Sequence, residues 1–112
     1  MAAQQLWKIG DIEMDIEAIK EEICNISALS YSKNMVVGTG GNISAKIGDY
    51  IYITPHGVVL GEVRPDDLVK VYMDGSYEGS AVPSVETKLH LRCYAERPDI
   101  SAVVHLHSYY ST

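Results

Sequence analysis

The chain has no apolar run approaching the roughly 18 residues needed to cross a bilayer. Its opening, "MAAQQLWKIG", lacks the basic n-region and apolar h-region of a signal peptide. The expected location is the cytoplasm, with no membrane partner. Positive charge is also scarce: nine Lys and Arg stand against fifteen Asp and Glu, for a net charge of −6. The nine are scattered, so a phosphate backbone meets no basic patch, and nucleic acid is not an expected partner. Cysteine is nearly missing. Cys24 and Cys93 lie far apart, each in a stretch that reads as helix, and they are expected to be reduced core thiols rather than a disulfide. There is no internal repeat, low-complexity tract or domain linker.

What is present fits one soluble domain with one core. The chain has 112 residues, 46% of them apolar and 21% charged, which suits a globular protein and argues against disorder. From Asp11 to about Tyr31, isoleucines at 12, 16, 19, 23 and 26 step by four and three, marking one face of a helix. Asp11, Glu13, Asp15 and Glu17 crowd its first turns, where carboxylates suit the positive end of the helix dipole. After the glycine-rich stretch Gly38–Gly41, the segments 43–47 and 50–53 read as two strands around a Gly48-Asp49 turn. Leu68 to Met73 alternates as a third strand. A helix is predicted to open at Pro83-Ser84, capped by Ser84, with Val85, Leu89 and Cys93 as its apolar stripe. Arg97-Pro98-Asp99 stops it. Ile100 to His107 then reads as a final, buried strand. Helix, hairpin, strand, helix, strand predicts a largely antiparallel sheet covered by helices.

Chemistry has four places to sit. In His105-Leu106-His107, residues i and i+2 of a strand project from one face, about 7 Å apart at the backbone. The two imidazoles can converge on one ion while Leu106 packs the other way. Two partly exposed histidines at a strand end is the alternative, and catalytic zinc sites use three protein ligands. Glu86, near the start of the second helix with His90 one turn later on the same side, is either a proton-moving carboxylate or a dipole and capping feature. "GTGGNIS" is either a nest of backbone N–H groups for an anion or a connector, and it matches neither a Walker loop nor a dinucleotide fingerprint. Thr54-Pro55-His56-Gly57 offers a hydroxyl, an imidazole and an amide to an anion, or is a plain turn.

The order of these motifs is more specific than any one of them. Gly38-Thr39-Gly40-Gly41-Asn42-Ile43-Ser44, Ile53-Thr54-Pro55-His56-Gly57, Pro83-Ser84-Val85-Glu86, Arg97-Pro98-Asp99-Ile100 and Val103-Val104-His105-Leu106-His107 follow one another as in the class II aldolase/adducin family. The resemblance runs from about Ile16 to the last residue. It implies an α/β fold in three layers, with a mostly antiparallel central sheet flanked by helices. It also implies a homotetramer with active sites near subunit interfaces, and a zinc cofactor or another divalent metal. Residues 1–112 are expected to form a single domain of this type, the N-terminal portion of a longer family member.

Carried over residue by residue, the resemblance makes His105 and His107 zinc ligands. Glu86 becomes the acidic residue that binds metal in the resting enzyme and shuttles protons. Thr39, Asn42, Gly57 and Ser84 match positions that hold a substrate phosphate. The implied activity is that of an aldolase-type lyase cleaving a small sugar phosphate, or a related hydroxycarbonyl compound, through a metal-stabilised enediolate. Departures from the family pattern are informative. Val85 stands where the aldolases often carry a second serine, and His56 where the turn often carries a hydroxyl, although an imidazole can also bind an anion. The family's third zinc histidine comes from beyond this stretch, and His90 does not substitute for it because it lies on the preceding helix. Epimerase, dehydratase or decarboxylase chemistry on the same metal site, an adducin-like interaction module, and an inactive fragment are the alternatives.

Overall fold

The computed structural model describes the backbone of residues 9–33 and 40–106, and the side chains of 16–33 and 40–106. Thr39 and His107, and the side chain of Ile12, lie outside the described residues. A long helix, α1 (Ile9–Ser32), precedes a hairpin of β1 (Asn42–Ile47) and β2 (Tyr50–Ile53). Two 3-10 turns, Leu60–Glu62 and Pro65–Asp67, lead to β3 (Val69–Tyr72). Then come α2 (Thr87–Glu96) and β4 (Ala102–His105). Helix, hairpin, strand, helix, strand is the order the periodicities predict. Among the described residues, no helix is long and apolar enough to cross a membrane.

The four strands form one antiparallel sheet in the order β3-β2-β1-β4. The hairpin turn works because Gly48 holds φ at +64°, a left-handed conformation that costs glycine little. Alternation along each strand then sends successive side chains to opposite faces, and each face meets one helix. On the first face Ile43 joins Ile23 and Cys24 of α1, with Leu60, Val63 and Leu68 from the turns; Ile19, Ile26, Ala45 and Leu106 pack around them. On the second face Ile51, Ile53, Val69 and Val71 surround Tyr94 of α2, with Leu91 and Val103 alongside. Each aliphatic side chain buried this way contributes about 1.5–3 kcal/mol. The result is the expected three layers, with α1 and α2 on opposite sides of the sheet. Cys24 and Cys93 are both free thiols, and each lies on a different one of these helices.

Two expectations need correction. The helix predicted to open at Pro83-Ser84 begins at Thr87, so Val85 precedes its first turn and is 76% exposed. The side chains α2 buries are Thr87, His90 and Tyr94, while Leu89 is exposed. Polar groups can occupy the inner face because each finds a hydrogen-bond partner there. The final strand is also not buried on both sides. β4 is the sheet's edge among the described strands, with Ala102 and Val104 exposed. They border a groove of about 710 Å³ between α1 and β4, also lined by Ile19, Ile23, Ile26 and Ile43.

Candidate functional site

The site forms where the second face of the sheet meets the start of α2. Asn42 begins β1 and sits directly opposite His105, the last residue of β4, in the antiparallel register. Residues paired this way project from the same face. Glu86 occupies the N-cap position of α2, yet its side chain makes no capping hydrogen bond. Its carboxylate reaches the sheet instead. Oε1 accepts a hydrogen bond from Asn42 Nδ2 at 2.6 Å and lies 2.7 Å from His105 Nδ1. The carboxylate thus contacts a residue 44 positions away rather than capping its own helix.

Ser84 does the local work at this helix start. Its Oγ accepts the Glu86 N–H at 3.2 Å, and its carbonyl accepts the Thr87 hydroxyl at 2.6 Å and the Thr87 N–H at 3.1 Å. The first of these bonds uses a lone pair of Ser84, not its hydroxyl hydrogen. The turn at 54–57 is tied to the same segment. Ser84 N–H donates to the Thr54 carbonyl at 3.2 Å, and His56 N–H donates to the Val82 carbonyl at 2.8 Å. His56 and Gly57 are exposed at this turn, and Gly57 adopts φ +76°, which a side chain would strain. The Thr54 hydroxyl is not offered outward. Thr54 is fully buried and its Oγ1 accepts the Ile43 N–H at 3.2 Å.

The structure therefore brings Asn42, Glu86 and His105 into direct contact, with Ser84 on the Glu86 backbone and His56 and Gly57 on the adjoining turn. Thr39 and His107 lie outside the described residues. Leu106 packs against the first-face core, so the strand alternation that the H-L-H reading needs holds at that position.

Three further residues join this site: His90, which the sequence places one turn after Glu86, and Ser44 and Tyr94, to which motif reading gave no role of their own. His90 is fully buried. Its Nε2 bonds the Asn42 Oδ1, and its Nδ1 lies 2.6 Å from Ser44 Oγ. Ser44 Oγ in turn lies 2.7 Å from the Tyr94 hydroxyl. Burial, with the nearby His105 adding to it and Glu86 opposing it, pushes the His90 pKa down from 6.5 to about 4, so the imidazole is neutral at neutral pH. Burial likewise pushes the Tyr94 hydroxyl up to about 12, against a smaller lowering from its bond to Ser44. The available signal was spacing: 86, 90 and 94 fall every four residues on one helix face, and 42 and 44 alternate on one strand face.

The donor chemistry fits a divalent cation. An imidazole nitrogen and a carboxylate oxygen, both types that zinc accepts, converge on side chains that are 28% and 34% exposed. Among the described residues no group of three such side chains forms. Among the described residues Glu86 and His105 are the pair available.

Comparison with known proteins gives the family. Residues 21–112 match the family of the class II aldolase and adducin N-terminal domain, and the chain belongs to it. It is 42% identical over 93 residues to the L-fuculose phosphate aldolase of Methanocaldococcus jannaschii, covering 83% of this chain and 51% of that protein. It is 41% identical over 90 residues to the 3-oxo-tetronate 4-phosphate decarboxylase of Cupriavidus necator, covering 80% of this chain and 42% of that protein. Its fold superimposes on the crystal structure of YgbL from Escherichia coli with a TM-score of 0.81 at 34% identity, over 86% of this chain and 47% of that one. The chain spans about half the length of the curated aldolases it matches.

Proposed function

We propose that this member of the class II aldolase and adducin family serves a zinc-dependent aldolase-type lyase acting on a small sugar phosphate or a related hydroxycarbonyl compound. The observation that carries the reading is that one carboxylate oxygen, Glu86 Oε1, lies within hydrogen-bond reach of both Asn42 Nδ2 and His105 Nδ1. His105 and His107, with Glu86, would hold the cation. When bound, such a cation supplies Lewis-acid stabilisation of negative charge developing on the substrate oxygens. Glu86 takes the proton of the hydroxyl β to the carbonyl as the carbon–carbon bond breaks. It returns a proton to the carbon that keeps the electron pair. Thr39, Asn42, Gly57, Ser84 and His56 anchor the phosphate end, so that remote binding energy orients the reacting carbons.

Asn42 is 4% exposed, with its amide oxygen given to His90. What it can offer an anion is its second amide hydrogen. The reading extends to a cytoplasmic homotetramer.

A second reading is favoured by the likeness to the Cupriavidus necator decarboxylase, together with His56 and Val85 at positions where a hydroxyl is expected. There the same site would release carbon dioxide. A full-length relative that keeps these residues, purified without chelator, is expected to carry about one zinc per subunit and to release an aldehyde from L-fuculose 1-phosphate. Absence of any divalent ion, with no cleavage, sinks the aldolase reading. Carbon dioxide release from 3-oxo-tetronate 4-phosphate selects the second. Unchanged metal content but disrupted assembly on replacing Glu86, His105 and His107 together selects an interaction module.

A further inference from the structure

The groups behind Glu86 form one continuous path, and its hydrogen-bond polarity can be worked out from one end. A carboxylate only accepts. Asn42 must therefore present Nδ2 to Glu86 Oε1, which leaves Oδ1 facing His90. Oδ1 also only accepts, so His90 carries its hydrogen on Nε2. In a neutral imidazole the other nitrogen is then an acceptor. Ser44 has one hydroxyl hydrogen and must spend it on His90 Nδ1, so the Tyr94 hydroxyl donates to Ser44. Every donor along the path points towards Glu86.

Each link is also anchored. Ser44 and His90 are fully buried, and Tyr94 is 1% exposed. Ser44 is held on β1, paired with Val103 on one side and Ile53 on the other. Tyr94 is packed among Ile51, Ile53, Val69 and Val71. A buried network in which every member is satisfied is rigid, and reversing one member leaves a neighbour without a partner.

We propose that Tyr94, Ser44 and His90 are positioning residues that lock the Asn42 amide in one orientation, and through it hold the Glu86 carboxylate against His105. None of the three touches the reacting atoms. Glu86 sets which end of Asn42 it meets, and the three residues hold the amide there, because a flipped amide would set its carbonyl oxygen against the carboxylate and its NH2 against the Nε2–H of His90. The inference rests on the proposed role of Glu86 at a metal-dependent site, but the path itself does not require a metal to be tested.

The test uses the 112-residue chain with isotope-labelled histidine and glutamate, and three variants: Ser44→Ala, Tyr94→Phe and Ile51→Val. Ile51→Val trims the same core without touching the path and controls for a merely structural effect. Nitrogen NMR of the wild-type chain is expected to find His90 protonated on Nε2 and not on Nδ1. In Ser44→Ala, and more weakly in Tyr94→Phe, a second His90 tautomer should appear and the Glu86 carboxylate carbon resonance should shift or broaden. Ile51→Val should change neither.

Wild-type His90 protonated on Nδ1 overturns the proposal. So does a Glu86 resonance that is the same in all four proteins. If a full-length relative binds no zinc, the metal reading fails by itself, and the histidine and glutamate resonances of this chain still decide whether the path positions Glu86.

Discussion

Asn42 and His105 face each other across the β1–β4 pairing, and one oxygen of Glu86 lies 2.6 Å from the first and 2.7 Å from the second. A strand register and a helix start therefore converge on a single carboxylate. Changes at each of these elements should be read out differently.

Replacing Glu86 by Gln keeps the size of the side chain and removes its charge and basicity. A positioned proton-transfer group contributes about 10²–10⁴-fold to rate. Glu86→Gln is expected to lower kcat by about that factor with a smaller effect on KM, measured with the substrate that the wild type turns over. Turnover within twofold of wild type would remove Glu86 from the proposed chemistry.

Stability should register the buried path in a graded way. Ser44→Ala strips a donor from His90 Nδ1 and an acceptor from the Tyr94 hydroxyl, leaving two buried groups unpaired. Tyr94→Phe removes one hydroxyl and leaves the Ser44–His90 bond standing. An unsatisfied buried polar group costs about 1–3 kcal/mol, so Ser44→Ala should be the more destabilising of the two by urea denaturation. The reverse order would mean that Ser44 does not bridge them.

The metal-free chain should lose stability in mild acid. His90 titrates near 4 when folded, against 6.5 for an unperturbed histidine. The unfolded chain therefore binds more protons between those values, and stability rises with pH across that window. This contribution is intact above pH 6.5, is lost as pH falls towards 4, and amounts to roughly 3 kcal/mol at full extent. Urea unfolding at pH 7, 5.5 and 4.5 measures it. His90→Gln, which cannot titrate, should flatten that part of the slope, and an unchanged slope would assign it to other groups.

Val85 offers a gain-of-function test. It is 76% exposed beside Ser84, so Val85→Ser should change stability by no more than about 0.5 kcal/mol. Under the proposed reading, the added hydroxyl gives the phosphate end another donor. The expected outcome is a severalfold lower KM for a phosphorylated substrate, with kcat nearly constant. A KM that does not move would place the phosphate away from residue 85.

Much of this molecule is legible in the sequence because it depends on neighbours in the chain. The Gly48-Asp49 turn and the alternation on either side of it specify the hairpin. Isoleucine spacing specifies the face of α1. Strand parity puts Leu106 on the opposite side from His105, and the order of five short motifs identifies the family. The tertiary structure decided what depended on distant partners. Periodicity offered Val85, Leu89 and Cys93 as the buried stripe of α2. The buried residues are Thr87, His90 and Tyr94, because a polar group can enter the core only where a partner awaits it, and Ser44 and Asn42 wait on a strand more than 40 residues earlier. Glu86 has the sequence signature of a helix cap. Only the packing of α2 against the sheet turns its carboxylate towards Asn42 and His105, since no local rule relates residues 42, 86 and 105.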